Sequence, residues 1–156
     1  MTVELRVARL EAAEQIRNLK AVYCDLCDAG YQAEKLAALF LDDAVWDGGS
    51  DLGRHEGRPA IRRFFETMPA RLSFAIHHVT NPLITVSADA MSAKGRWYLL
   101  QTATTVQGNR AIWFAATYHD EYVRVGDNWL FKEVLLKGRF VAPYERGWAG
   151  RALATG

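Results

Sequence analysis

Four long runs rich in Val, Thr, Trp, Tyr and Phe fill the chain beyond Arg71, at about residues 72–87, 92–105, 110–125 and 128–140. β-Branched and aromatic side chains suit a pleated, half-buried surface, so these runs predict strands. Gly108-Asn109 and Gly126-Asp127 fall between runs, where a tight hairpin needs residues that accept positive φ. Strands joined in this way make an antiparallel meander, and the segment before them must cover one of its faces.

That earlier segment is helical in pattern. Over about 8–27 the apolar residues Leu10, Ala13, Ile16, Leu19, Tyr23 and Leu26 recur at three- and four-residue spacing, with Glu11, Glu14, Arg17 and Lys20 among them. This is an amphipathic helix, broken at Ala29-Gly30. A shorter helix is expected over 32–40, with Leu36, Phe40 and Leu41 as core candidates, then a short strand at 44–47 and a loop at 48–53. Gly57-Arg58-Pro59 opens a third helix with Ile61, Phe64, Phe65 and Met68 on one face, and Pro69 ends it. The fold class is α+β: three N-terminal helices on a strongly curved antiparallel sheet, enclosing a pocket lined by aromatics such as Trp97, Phe114 and Tyr118.

The length, 156 residues, fits a single domain spanning 1–156. Nineteen basic against 18 acidic side chains leave no field to attract a polyanion, so nucleic acid is not an expected partner. Charges interrupt the start before any apolar stretch of signal length, and no membrane-spanning run occurs, which predicts a cytoplasmic protein without a membrane partner. Cys24 and Cys27 lie within a helix and lack the strand–helix setting of a redox motif, so they read as buried thiols. His55 and His119 fit no metal-ligand spacing, and neither a serine elbow, a phosphate loop nor a dinucleotide fingerprint is present; no metal and no cofactor are expected. Apolar residues in both phases of the strands give more surface than three helices cover, which predicts a homo-oligomer, trimer or dimer.

Chemistry centres on a few polar residues. Asp28 ends the amphipathic helix at the edge of its apolar stripe, where a carboxylate either needs a partner or simply opens a turn. Tyr23 lies on the same stripe. His77 and His78 point to opposite faces of one strand, and strict alternation groups His78 with Phe74, Ile76, Ile84 and Val86, so hydrophobicity alone turns His78 inward. A bulge, or an outer face buried by another subunit, would reverse this, so periodicity does not choose between the two histidines. Arg139, Tyr144, Arg146 and Trp148 belong to a C-terminal segment able to fold over a pocket mouth or to run as a solvated tail.

Ile16, Leu19, Tyr23 and Asp28, then Leu36 to Trp46, Gly57 to Ile61, His77 to Pro82 and Tyr118 to Tyr122 together resemble the SnoaL-like branch of the nuclear transport factor 2 superfamily over roughly 8–148. Within it the chain looks most like the group of scytalone dehydratase, bile acid 7α-dehydratase and hexachlorocyclohexane dehydrochlorinase. The resemblance implies a cone-shaped fold and an Asp-His dyad formed by Asp28 and His77. His77 is selected because it stands four residues before Asn81, which matches the family's asparagine. Tyr23 falls where dehydratase-like members carry a tyrosine near the leaving oxygen, and Val134 where the dehydrochlorinase has its arginine. The implied activity is that of a cofactor-independent lyase of dehydratase type. It would remove water from an apolar cyclic, polyketide- or steroid-like substrate, with Trp97, Phe114, Tyr118 and Arg139 as binding residues. An isomerase or cyclase using the same dyad, or a noncatalytic binding subunit, is the alternative.

Overall fold

The computed structural model describes residues 1–149. Helix α1 (Val3–Asp28) opens on Thr2, whose side chain accepts the Leu5 N–H at 3.3 Å. There follow α2 (Ala33–Ala37), β1 (Phe40–Asp47), α3 (Gly49–Leu52), β2 (Arg54–Glu56) and α4 (Arg58–Thr67), and a 3₁₀ turn, Met68–Ala70. Gly57 precedes α4 at φ +81° and Pro59 lies in its first turn, as the sequence predicts. The long strands are β3 (Leu72–Val86), β4 (Ser92–Thr105), β5 (Ala111–Val125) and β6 (Asn128–Pro143).

These strands form one unclosed six-stranded sheet in the order β2-β1-β6-β5-β4-β3, with α1 packed on its concave face along β3 and β6. The meander is antiparallel as expected, but β1 adds to β6 in parallel, with Trp46 beside Val134. Phe40, assigned by its spacing to the second helix, instead starts β1 at full burial, and 48–53 holds the short α3.

The apolar stripe of α1 is rotated from the expected one. Leu10 is 71% exposed, and the buried residues are Ala12, Ile16, Lys20, Tyr23, Cys24 and Cys27. Tyr23 makes edge contacts with Phe40, Phe65, Tyr118 and Phe131 at ring separations of 5.5 to 6.3 Å, which ties α1 to α4 and the sheet. Lys20, one of the charged residues among the apolar positions of the helix, is sealed inside. Its Nζ lies 2.9 Å from Asp120 Oδ2 and 3.3 Å from the centre of the Tyr118 ring. Tyr122 donates its hydroxyl to the same carboxylate oxygen at 2.7 Å, and Trp97 donates its indole N–H to Tyr122 at 3.1 Å. A Cβ at Gly95 would come within 2.9 Å of the Tyr122 ring, so glycine is what lets that ring lie across the strand.

Candidate active site

Asp28 is the last residue of α1. The chain reverses there through Gly30 at φ +85° and Tyr31 at φ +55°, and the Tyr31 and Gln32 N–H groups return to the carbonyls of Cys27 and Leu26 at 3.0 and 3.1 Å. The reversal holds the end of α1 against β3, the terminal strand of the sheet. A terminal strand leaves every second backbone N–H without a strand partner. At His77 that N–H is shared by both Asp28 carboxylate oxygens at 3.1 Å each, while His77 Nδ1 lies 2.5 Å from Asp28 Oδ1. One carboxylate therefore fixes both the backbone and the ring of one residue. Because an ionised carboxylate only accepts, Nδ1 carries the hydrogen, and Nε2 of the neutral ring keeps its lone pair. The His77 side chain is 6% exposed and that of Asp28 25%, so the ring is shielded while the carboxylate stays open to water.

His77 faces inward and His78 is exposed, contrary to simple alternation. The physical reason is a register shift between Thr80 and Leu83, with Asn81 at φ +51°. Before it Ala75, His77 and Val79 turn inward, leaving Phe74 and Ile76 outside at 50% and 37% exposure; after it the inward residues are Ile84 and Val86. Residues that alternate in sequence on either side of a bulge do not share a face.

Across the sheet, His77 stands opposite Gln101, and Gln101 opposite Phe114, so Phe114 lies half-buried in the same row. Trp97 and Tyr118 pair with each other deeper in the concave face, 5% and 1% exposed, closed off by Lys20 and Tyr23. The Tyr23 hydroxyl accepts the Trp46 indole N–H at 3.0 Å, and burial raises its pKa well above the ordinary phenol value. Arg139 stands on the other side of the sheet, its guanidinium 5.8 Å from the exposed Tyr98 ring. The C-terminal segment crosses that outer side too: Tyr144 stacks on Trp113 at 6.3 Å, and Trp148 meets Trp113 and Phe140. Trp113 and Phe140 alternate with the inward Phe114 and lie away from His77.

Two residues beside His77 carried no sequence signal. Tyr31 sits edge-on to the imidazole at 6.3 Å, and Gln101 is 5% exposed. His55, by contrast, stacks on Phe64 at 4.3 Å and bonds the Leu52 carbonyl, which secures α3 and β2. A surface depression of about 470 Å³ between α2 and α4 is lined by Glu34, Arg58, Arg62 and Glu66. Four of its charged residues are already paired, Arg62 with Glu34 and Glu66, and Arg58 with Asp42; Arg63 lines it as well. Among the described residues no three His, Cys, Asp or Glu side chains gather as a metal would need, and no helix is long and apolar enough to cross a membrane.

Compared with known proteins, residues 8–134 match the family described as a SnoaL-like domain. No curated protein matches. Among solved structures, a hexachlorocyclohexane dehydrochlorinase, LinA type 2, superposes with a TM-score of 0.80 at 26% identity, over 88% of this chain and 92% of its own. The type 3 enzyme from Novosphingobium barchaimii gives 0.78 at 27% identity, over 94% and 96%. A candidate scytalone dehydratase from Novosphingobium aromaticivorans gives 0.80 at 24% identity, over 89% and 91%, a likeness of fold.

Proposed function

This chain belongs to the SnoaL-like domain family, and from that premise we propose that it is a cofactor-independent lyase of dehydratase type. Its substrate would be an apolar cyclic compound, polyketide- or steroid-like, that loses water β to a carbonyl. The observation that carries the reading is the contact of 2.5 Å between Asp28 and His77, which engages Nδ1 and leaves His77 Nε2 without a hydrogen-bond partner among the described residues.

In this mechanism Nε2 takes the proton next to the carbonyl, and the electron pair of the broken C–H bond passes into an enolate. As the enolate collapses, the β C–O bond breaks, and the proton on Nε2 leaves with the hydroxide as water. Asp28 holds the ring in the tautomer that makes Nε2 the base and stabilises the imidazolium. The half-buried Phe114 supplies apolar contact in the same row as His77. The two dehydrochlorinases are named for an elimination, which supports this reaction class. Val134, fully buried, offers no charge to a departing chloride, so water is the preferred leaving group here.

The test is turnover of β-hydroxy carbonyl compounds, followed by product mass. Loss of water is expected; a product of unchanged mass would replace the lyase by an isomerase or cyclase using the same base. His77→Ala should cost about 10²- to 10⁴-fold in turnover, the usual worth of a positioned general base. Asp28→Asn should lower turnover while leaving binding of a substrate analogue unchanged. Ligand affinity without turnover, surviving loss of both residues, would identify a binding protein instead.

A further inference from the structure

Tyr31 occupies the left-handed region at φ +55°, a conformation a bulky residue keeps only where its surroundings impose it. Its N–H is tied to Cys27, its ring stacks against Phe65 at 6.4 Å, and its edge-on contact to His77 is 6.3 Å. The strained turn therefore places a phenol beside the imidazole rather than in solvent, at 8% exposure. Gln101, buried and directly opposite His77 on β4, brings its side-chain amide toward the Tyr31 hydroxyl. An amide N–H given to the phenol oxygen there would leave the phenol's own hydrogen to be donated elsewhere. Burial raises the Tyr31 pKa, which keeps that hydrogen in place at ordinary pH. Tyr23 differs on this point. Its oxygen takes the Trp46 N–H at 3.0 Å, and it is 2% exposed beneath four aromatic rings.

We propose that Tyr31, oriented by Gln101, is the catalytic donor that holds the oxygen gaining negative charge when His77 removes the proton. The sequence resemblance would give this part to Tyr23. The inference rests on His77 acting as base, and it adds the group opposite that base. Tyr31 transfers no proton: it donates a hydrogen bond to the enolate oxygen, or to the leaving oxygen, and retains it afterwards. Gln101 acts through Tyr31 and is a positioning residue. The arrangement selects substrates with a planar apolar ring system, which can lie against Phe114 while one carbonyl or leaving oxygen reaches Tyr31.

A nitro-substituted benzisoxazole provides a probe independent of the natural substrate. A base removes its ring C–H proton, the N–O bond breaks, the electron pair leaves on a phenolate oxygen, and a nitrile forms. Turnover of a series of benzisoxazoles with graded leaving-group acidity is measured on the full chain and on His77→Ala, Tyr31→Phe, Tyr23→Phe and Gln101→Leu. Tyr31→Phe should lower kcat by about 10- to 100-fold, the worth of one hydrogen bond to a charged oxygen, and more than Tyr23→Phe does. It should also steepen the dependence of kcat on leaving-group acidity, because the phenolate loses its donor. Gln101→Leu should steepen the same plot to a smaller degree, and His77→Ala should lower every member of the series alike. A purely structural role for Tyr31 would not change the slope. Unchanged slopes in Tyr31→Phe and Gln101→Leu, with His77→Ala impaired, would overturn the assignment of Tyr31 alone. Equal rates for the unmodified protein and His77→Ala would sink the base, and the proposal with it.

Discussion

Cys24 and Cys27 sit on the inner face of α1, both buried and unpaired by disulfide, as the sequence predicts. Burial pushes the Cys24 thiol up to about 12 from an ordinary 9.0, and raises Cys27 and Tyr23 well above their usual values. In the unfolded chain these groups lose their protons first. Between about pH 9 and pH 12 the folded state therefore binds more protons, and stability falls as pH rises through that window. Each thiol should contribute about 1.4 kcal/mol per pH unit there. Urea unfolding across that range should show the decline, and Cys24→Ala with Cys27→Ala should flatten it; an equally steep decline in the double variant would locate the effect elsewhere. The residue-scale reading of these cysteines needed only their place in a helix. Tyr31 lies beyond it, because the residues around its ring, His77 and Gln101, come from β3 and β4 while Tyr31 itself sits in the turn after α1.

At the scale of elements, α1 and β5 are joined by the Lys20–Asp120 pair, side chains 1% and 0% exposed. Charges taken this far from water are costly, and their attraction offsets the cost only while both are present. Burial raises the Asp120 pKa, while Lys20 and the Tyr122 hydroxyl draw it back. Asp120→Asn alone, or Lys20→Met alone, should cost about 3–5 kcal/mol by stranding the other charge. Combining them should recover most of that loss, since the asparagine still accepts from Tyr122. Chemical denaturation of the four proteins measures this, and additive losses would mean that the pair is not coupled. The spacing of Lys20 with Ile16, Tyr23 and Cys27 marks the buried stripe, yet a lysine on such a stripe reads as polar until its partner is known. The same limit applied to β3, where the bulge at Asn81 exchanged the faces of His77 and His78.

For the whole molecule, the convex side of the sheet carries Phe74, Ile76, Tyr98 and Leu100 at 37% to 50% exposure, beside the aromatics of the C-terminal segment. We propose that a second copy of this chain covers this side, which would meet the expected trimer or dimer. Leu100→Lys should then lower the sedimentation coefficient at fixed concentration; a monomer before substitution would exclude the idea. The sequence by itself determined what depends on near neighbours. The four long strands, their glycine turns, the start of α4 at Gly57-Arg58-Pro59 and the helix ending at Asp28 follow from backbone preference and side-chain period. Only the tertiary structure decided which polar groups meet. Asp28 and His77 are 49 residues apart and Lys20 and Asp120 are 100 apart, and neither separation appears in any local pattern. Side-chain period tells a residue which face it occupies, whereas burying a charge is tolerable only with a partner that the fold must bring from elsewhere.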